Sequence, residues 1–278
     1  MARVDPAWSV EDIEVSLLLE GVRRHAGLDF ARYAGPALRR RLRRCMEMEG
    51  VSTVSALQDR VLHDPESLRR FVRTVSVRVT GMFRDPQLFG TVRREVVPWL
   101  RSHPSIRIWH AGCSTGEEAY SMAILLHEEG LLERARLYAT DMDGELLELA
   151  ERGRIPLTHL ARYADAHQRS GGRGSLCDHF RVEGDWAVLD AGLRSRIIWA
   201  QHNLATDGSF NDFHLLHCSN VLIYLDREPQ RHAVDVLRES VVPFGFLLLG
   251  ARELLGPGAE GLDFRRLDGG ASLYKRMR

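Results

Sequence analysis

Lysine is almost absent from this chain: of 38 basic residues only Lys275 is a lysine, a bias of composition rather than of chemistry. Cysteine is scarce too. Cys45, Cys113, Cys177 and Cys218 lie far apart, with no CxxC pair and no histidine at a companion metal spacing, which argues against a disulfide framework or a zinc site. The 12 histidines form no HExxH or HxH cluster, so no metal is assigned. No apolar run approaches the ~20 residues that cross a bilayer. The opening MARVDPAWSVEDIEV carries acids where a signal peptide needs an apolar stretch. No membrane insertion is therefore expected, and a cytoplasmic location is. Positive and negative charges cancel, 38 against 38, which argues against a general nucleic-acid binder.

What remains is an ordinary globular composition, 44% apolar and 27% charged over 278 residues, long enough for a large domain and a smaller one. The first 75 residues or so read as helices. Ile13, Leu17, Leu18 and Val22 recur at helical spacing from Val10 to Ala26, and Gly27 can end that helix. A second helix, Pro36 to Glu49, places Leu38, Leu42 and Cys45 on one face. Arg39, Arg40, Arg43 and Arg44 occupy the others, with Arg41 beside them. Further helices are expected after Ser52 and Asp64.

From Ile106 onward short apolar runs alternate with helical segments, the pattern of a parallel α/β sheet. The runs are Ile106–His110, Leu137–Thr140, Ile197–Ala200, Leu215–Cys218 and Phe246–Gly250, with a possible final hairpin over Leu262–Arg276. Around Glu183-Gly184-Asp185 the pattern predicts another hairpin, in an insertion near residues 155–195. The expected division is a helical domain over 1–75 and an α/β domain over 76–278.

The first strand, RIWHAG, runs into Cys113-Ser114-Thr115-Gly116 and then a helix that opens with Glu117-Glu118. A ligand site belongs at this end of the sheet. The next strand ends at Asp141, where a carboxylate can accept both hydroxyls of a ribose. A dinucleotide would bring its pyrophosphate to the helix N-terminus, but two acids stand there and would repel it. The ammonium and sulfonium of S-adenosylmethionine fit that place better. One of the two glutamates can instead be a first-turn acid that merely stabilises the helix dipole.

The segments SVRVTGMFRD, IWHAGCSTGEEAYSMA, YATDMD, HNL, CSNVLIYLD and GFLLLGARE, in this order and spacing, resemble the CheR family, which methylates glutamate side chains on bacterial chemotaxis receptors. The resemblance covers nearly the whole chain. It implies a Rossmann-like S-adenosylmethionine methyltransferase fold with a small inserted antiparallel β-subdomain and an N-terminal all-helical domain. It implies a donor site of Thr80, Arg84, Glu118, Asp141, Asn203, Leu204, Asn220 and Val221, with Arg78 and Ser219 beside them. Arg84 and Tyr224 would act near the transferred methyl group, leaving S-adenosylhomocysteine as product. Arg39, Arg40, Arg43 and Arg44 would contact the receptor's acidic helices, and the enzyme is expected to be a monomer. Phe83, Trp109 and Ile223 are assigned to packing. Three positions depart from the family pattern, which usually has Asn at Arg78, Arg at Ser219 and Ser at Arg252. These leave two other readings open: a CheR-like enzyme with a non-chemoreceptor acceptor, and an adaptor that binds the donor or its product without turnover.

Overall fold

Helix α1 (Val10–Ala26) starts where Ser9 and Asp12 cap each other's backbone and stops at Gly27, whose φ of 68° suits a residue without a Cβ. Such local signals shape the N-terminal region throughout. It continues as α2 (Gly35–Glu49), α3 (Val54–His63) and α4 (Pro65–Val75). This computed structural model describes residues 9–30, 35–75, 80–250, 253–255, 263–267 and 272–278. Two compact units emerge, one of Met1–Arg78 with Ile223–Gln230, the other of Val79–Leu222 with Arg231–Arg278.

In the helical unit Leu18, Val22, Leu38, Leu42, Cys45, Leu57, Val61 and Phe71 share one buried core. Leu18 and Val22 are the inward face of α1, whereas Ile13 and Leu17 are exposed, so the apolar stripe of this helix is wider than the face it buries. Arg23 pairs with Asp226 at 2.8 Å, and Leu28 bridges Leu225.

The other unit opens with α5 (Pro86–Thr91), a π-helical turn over Val92–Val96, and α6 (Val97–Leu100). Strands and helices then alternate: β1 (Ile106–Ala111), α7 (Glu117–Glu128), β2 (Ala135–Asp141), α8 (Gly144–Glu151). The insertion holds β3 (Arg154–Pro156), α9 (Leu157–Arg169), β4 (Phe180–Glu183) and β5 (Trp186–Leu189). Next come α10 (Ala191–Arg194), β6 (Ile197–Gln201), β7 (Phe213–Cys218), α11 (Arg227–Glu239), β8 (Val241–Leu249), β9 (Phe264–Arg266) and β10 (Leu273–Arg276).

The main sheet has the order β6-β2-β1-β7-β8-β10-β9. β6, β2, β1, β7 and β8 run parallel, and β10 and β9 close one side as an antiparallel pair. β7 is buried at every residue, as a central parallel strand must be. Helix α7 is buried from Ala119 to Leu126 because it packs in the core of this unit. The order reverses at β1, which has β2 on one side and β7 on the other, and ligands bind outside such a reversal. The inserted sheet, β3-β5-β4, is antiparallel, and its β4–β5 turn holds Gly184 at a φ of 59°. The sequence expectation of an α/β fold with helical and inserted β parts is met. No helix among the described residues is long and apolar enough to cross a membrane.

Burial of His214 on β7 favours its neutral form. Its Nδ1 accepts the Arg107 backbone N–H at 3.1 Å, and its ring lies against His103 and Trp99. Burial first, then His103 and Arg107, push its pKa down to about 4. The unfolded chain protonates this ring near the ordinary ~6.5, so its stabilising contribution is intact above that pH and is lost as pH falls toward 4. His214→Gln is expected to flatten the stability profile between those limits, by up to ~3 kcal/mol relative to the parent. Urea unfolding at stepped pH reads this, and parallel profiles for both proteins would acquit His214.

Candidate functional site

The loop between β1 and α7 is built from left-handed residues: Gly112 at φ 72°, Ser114 at 53° and Gly116 at 89°. The N–H groups of Gly112 and Cys113 both donate to the Thr140 carbonyl at 2.8 Å, which ties the loop to the end of β2. A Cβ on Gly112 would stand 2.3 Å from the Val221 side chain. The turns after β1 and β7 therefore meet, and only glycine permits it.

Asp141 ends β2. One oxygen accepts the Ser114 N–H at 2.8 Å and the other the Asp143 N–H at 3.0 Å, so the carboxylate is fixed in orientation. Its carbonyl accepts the His202 N–H at 3.1 Å, which brings the Asn203-Leu204 turn alongside. The Asn203 side-chain oxygen is turned back onto the Ala205 N–H at 3.0 Å, and Leu204 is buried.

The two glutamates that open α7 separate in role. Glu117 accepts the Thr115 hydroxyl at 2.7 Å and is also hydrogen-bonded by Thr80. Burial pushes its pKa upward. Among the described residues Glu118 makes only a loose approach, 3.9 Å, to the ring of His217. His217 in turn hydrogen-bonds Ser219 through Nε2 at 2.7 Å, and its ring centroid lies 5.3 Å from that of His110 on β1. Both nitrogens of His110 are buried without a partner among the described residues, and burial drives its pKa well down, so the ring is neutral.

Arg84 is exposed on the turn before α5. Phe83 holds that turn in a left-handed conformation at φ 49°, its N–H donating to the Ser121 hydroxyl of α7 at 2.9 Å. Asp85 caps α5 by accepting the Leu88 N–H. Tyr224 belongs to the helical unit, where its carbonyl accepts the Asp29 N–H at 2.8 Å and its ring lies 6.5 Å from that of Phe30. On α2, Arg40, Arg43 and Arg44 are exposed, but Arg39 is engaged by Asp12 and Glu11. Arg78 and Arg252 lie outside the described residues.

Glu253 stands in the GFLLLGARE segment, and sequence reasoning gave it no role. It is 2% exposed, and its carboxylate accepts four backbone N–H groups: Asn220 at 2.7 Å, Val221 at 2.9 Å, Leu222 at 2.8 Å and Gly250 at 2.8 Å. This grip holds Asn220 at a φ of 60°. Burial pushes the carboxyl's pKa upward, and the four N–H donors pull against it. His217 was missed as well, because a histidine inside an apolar strand gives no signal beyond its own residue type.

The family model described as "CheR methyltransferase, SAM binding domain" matches residues 78–267, and "CheR methyltransferase, all-alpha domain" matches residues 13–76. The chain is a member of the CheR methyltransferase family. "Putative methyltransferase Cher3" of Pseudomonas putida is 43% identical, over 87% of this chain and 89% of its own. "Chemotaxis protein methyltransferase" of Listeria innocua is 28% identical over 87% and 90%, and "Chemotaxis protein methyltransferase 1" of Pseudomonas aeruginosa 30% over 77% and 80%. The solved methyltransferase CalS10 of Micromonospora echinaspora overlaps 58% of this chain, which spans half of that structure, at 16% identity and a TM-score of 0.33.

S-adenosylmethionine is the cofactor of this CheR domain, and the geometry fits it. Asp141 offers an oriented carboxylate at the end of β2, Glu118 keeps a carboxylate uncommitted to the loop, and Gly112 leaves no side chain between the two turns.

Glu253→Gln replaces one acceptor oxygen by an amide that cannot accept, which strands N–H donors at a cost of ~1–3 kcal/mol. Calorimetry with S-adenosylhomocysteine is expected to show roughly tenfold weaker binding, because the Asn220-Val221 turn loses its anchor. Parent-like affinity would mean that the turn holds its shape without this carboxylate.

Proposed function

We propose that this CheR family member transfers the methyl group of S-adenosylmethionine to glutamate carboxylates on chemotaxis receptors. The observation that carries the reading is the match of both CheR models across the chain, with relatives named chemotaxis protein methyltransferase. The donor, when bound, supplies a methyl group made electrophilic by its sulfonium. Asp141 serves as acceptor for the ribose hydroxyls, and Glu118 faces the cationic end. Thr80, Asn203, Leu204, Ser219, Asn220 and Val221 complete the donor site.

A glutamate acceptor, with an ordinary pKa of ~4.3, is ionised near neutral pH, so this chain needs no general base. Its task is to align the acceptor oxygen and keep water out. Arg84, exposed and free of Asp85 among the described residues, orients the acceptor carboxylate, and Tyr224 is the other residue that the family resemblance assigns to the methyl-transfer step. Arg40, Arg43 and Arg44 receive the acidic acceptor helix. Arg39 is the least available of the four because Asp12 and Glu11 already hold it.

One observation favours a different acceptor: Ser219 replaces the family's usual arginine and is hydrogen-bonded to His217. Labelled donor, incubated with the chain and with chemoreceptor cytoplasmic fragments or whole extract, separates the readings. Base-labile label mapped to receptor glutamates supports the proposal. Label on another protein transfers the activity to that acceptor, and binding of the donor without any turnover leaves an adaptor.

Arg84→Ala and Tyr224→Phe are expected to lower the single-turnover rate more than they weaken receptor docking. Replacing Arg40, Arg43 and Arg44 together with Ala is expected to raise KM for the receptor while donor affinity holds. Normal turnover in the first pair removes both from the mechanism, and a collapse of donor binding in the triple variant removes α2 from acceptor docking.

A further inference from the structure

Five arginines line a cavity of about 390 Å³ in the methyltransferase unit: Arg93, Arg94, Arg101, Arg169 and Arg173. The one acid in its lining is Glu129. None of these residues belongs to the donor site, and the arginines come from two stretches of the chain: the π-helical turn through the end of α6, and the last turn of α9 with the loop after it.

The ion pairs show how the cluster is assembled. Glu129, 5% exposed, receives three guanidiniums: Arg93 at 3.0 Å on one oxygen, and Arg101 at 2.9 Å and Arg173 at 3.2 Å on the other. Two guanidiniums on a single carboxylate oxygen stand side by side, and one negative charge does not neutralise them. Arg93 is only 10% exposed and also reaches Glu128, which His167 engages at 2.6 Å. Its Nε is nevertheless buried with no hydrogen-bond partner among the described residues. Arg94 pairs with Glu95 and Arg169 with Asp165, but these pairs are solvent-exposed and open at little cost. The C-terminal ends of α7 and α9 add a partial negative charge, about half a unit each, too little to balance the excess at the cavity wall.

Arg101 and Arg173, 53% and 64% exposed, each use part of a five-donor fork on Glu129. The remaining donors are arranged as planar forks, the geometry that binds phosphate oxygens in pairs. The forks are gathered over a short span of surface around one carboxylate, which matches the compact charge of a phosphate group; the peptide arm of the test below distinguishes it from an extended acidic partner. We infer that this arginine cavity is an anion site for a small phosphate-bearing molecule, separate from the donor site of the CheR domain. Glu129 acts there as the organiser that holds the guanidiniums together in the absence of the anion.

The test is calorimetric titration of the full chain, saturated with S-adenosylhomocysteine so that the donor site is filled, with inorganic pyrophosphate at low salt. One equivalent is expected to bind, with affinity falling as salt rises. Arg101→Ala with Arg173→Ala is expected to weaken it about tenfold or more, and the corresponding pair of lysines to weaken it less, since charge is kept and the fork is lost. The alanine pair takes two counter-charges from Glu129, which is 5% exposed, so thermal unfolding is measured on every variant, and the lysine pair, which keeps those charges, separates loss of the fork from loss of stability. Guanosine diphosphate in place of pyrophosphate distinguishes a nucleotide from free phosphate. Absence of saturable binding overturns the inference, as does equal affinity in the double alanine variant. A glutamate-rich peptide that binds through Arg101 and Arg173 and is not displaced by pyrophosphate would overturn it too, and make the cavity a peptide dock.

Discussion

The donor end of the sheet rests on the meeting of two turns, and one buried carboxylate sets the terms of that meeting. Glu253 gathers the N–H groups of Asn220, Val221, Leu222 and Gly250, four donors that the end of a parallel strand would otherwise leave unsatisfied in the protein interior. With Val221 held there, the loop after β1 has room for nothing larger than glycine at position 112. Asp141 does the same service on the other side by accepting the Ser114 and Asp143 amides. The site is thus shaped by anions that bind backbone, and its geometry depends little on long, mobile side chains.

This arrangement has an electrostatic consequence. Glu117, Glu118, Asp141 and Glu253 gather carboxylates around the C-terminal ends of β1, β2 and β7, and burial pushes the pKa of Glu117 and Glu253 upward. A cationic ligand relieves that crowding and an anionic one aggravates it. On another surface of this unit the sign is reversed, with arginines in excess around Glu129. The chain's neutral total therefore hides two local fields of opposite sign.

Much of the fold was legible in the sequence because its signals are local. Hydrophobic period changes from helical to strand-like near Ile106, Gly27 marks the end of α1, and Glu183-Gly184-Asp185 marks the β4–β5 turn. Asp141 was legible as well, since a carboxylate that closes a strand next to a glycine loop needs no tertiary knowledge to be noticed. Where a local pattern met a tertiary constraint it was less informative. Ile13 and Leu17 fit the apolar period of α1 and are nonetheless exposed, and Arg39 looked as available as Arg40 until Asp12 claimed it.

By itself the sequence determined the order of elements, the glycine turn and the carboxylate that close the first two strands, and the kinship with the CheR family, because these depend on spacing along the chain and on residue type. Only the tertiary structure decided which side chains are already committed. Glu253 reaches backbone more than thirty residues away, His217 meets His110 across a strand pair, and Ile223–Gln230 packs with the N-terminal helices. Three arginines from distant segments converge on Glu129. Each of these contacts joins residues that no periodicity relates. Their partners are chosen by which groups a packed interior leaves in need of a hydrogen bond or a counter-charge.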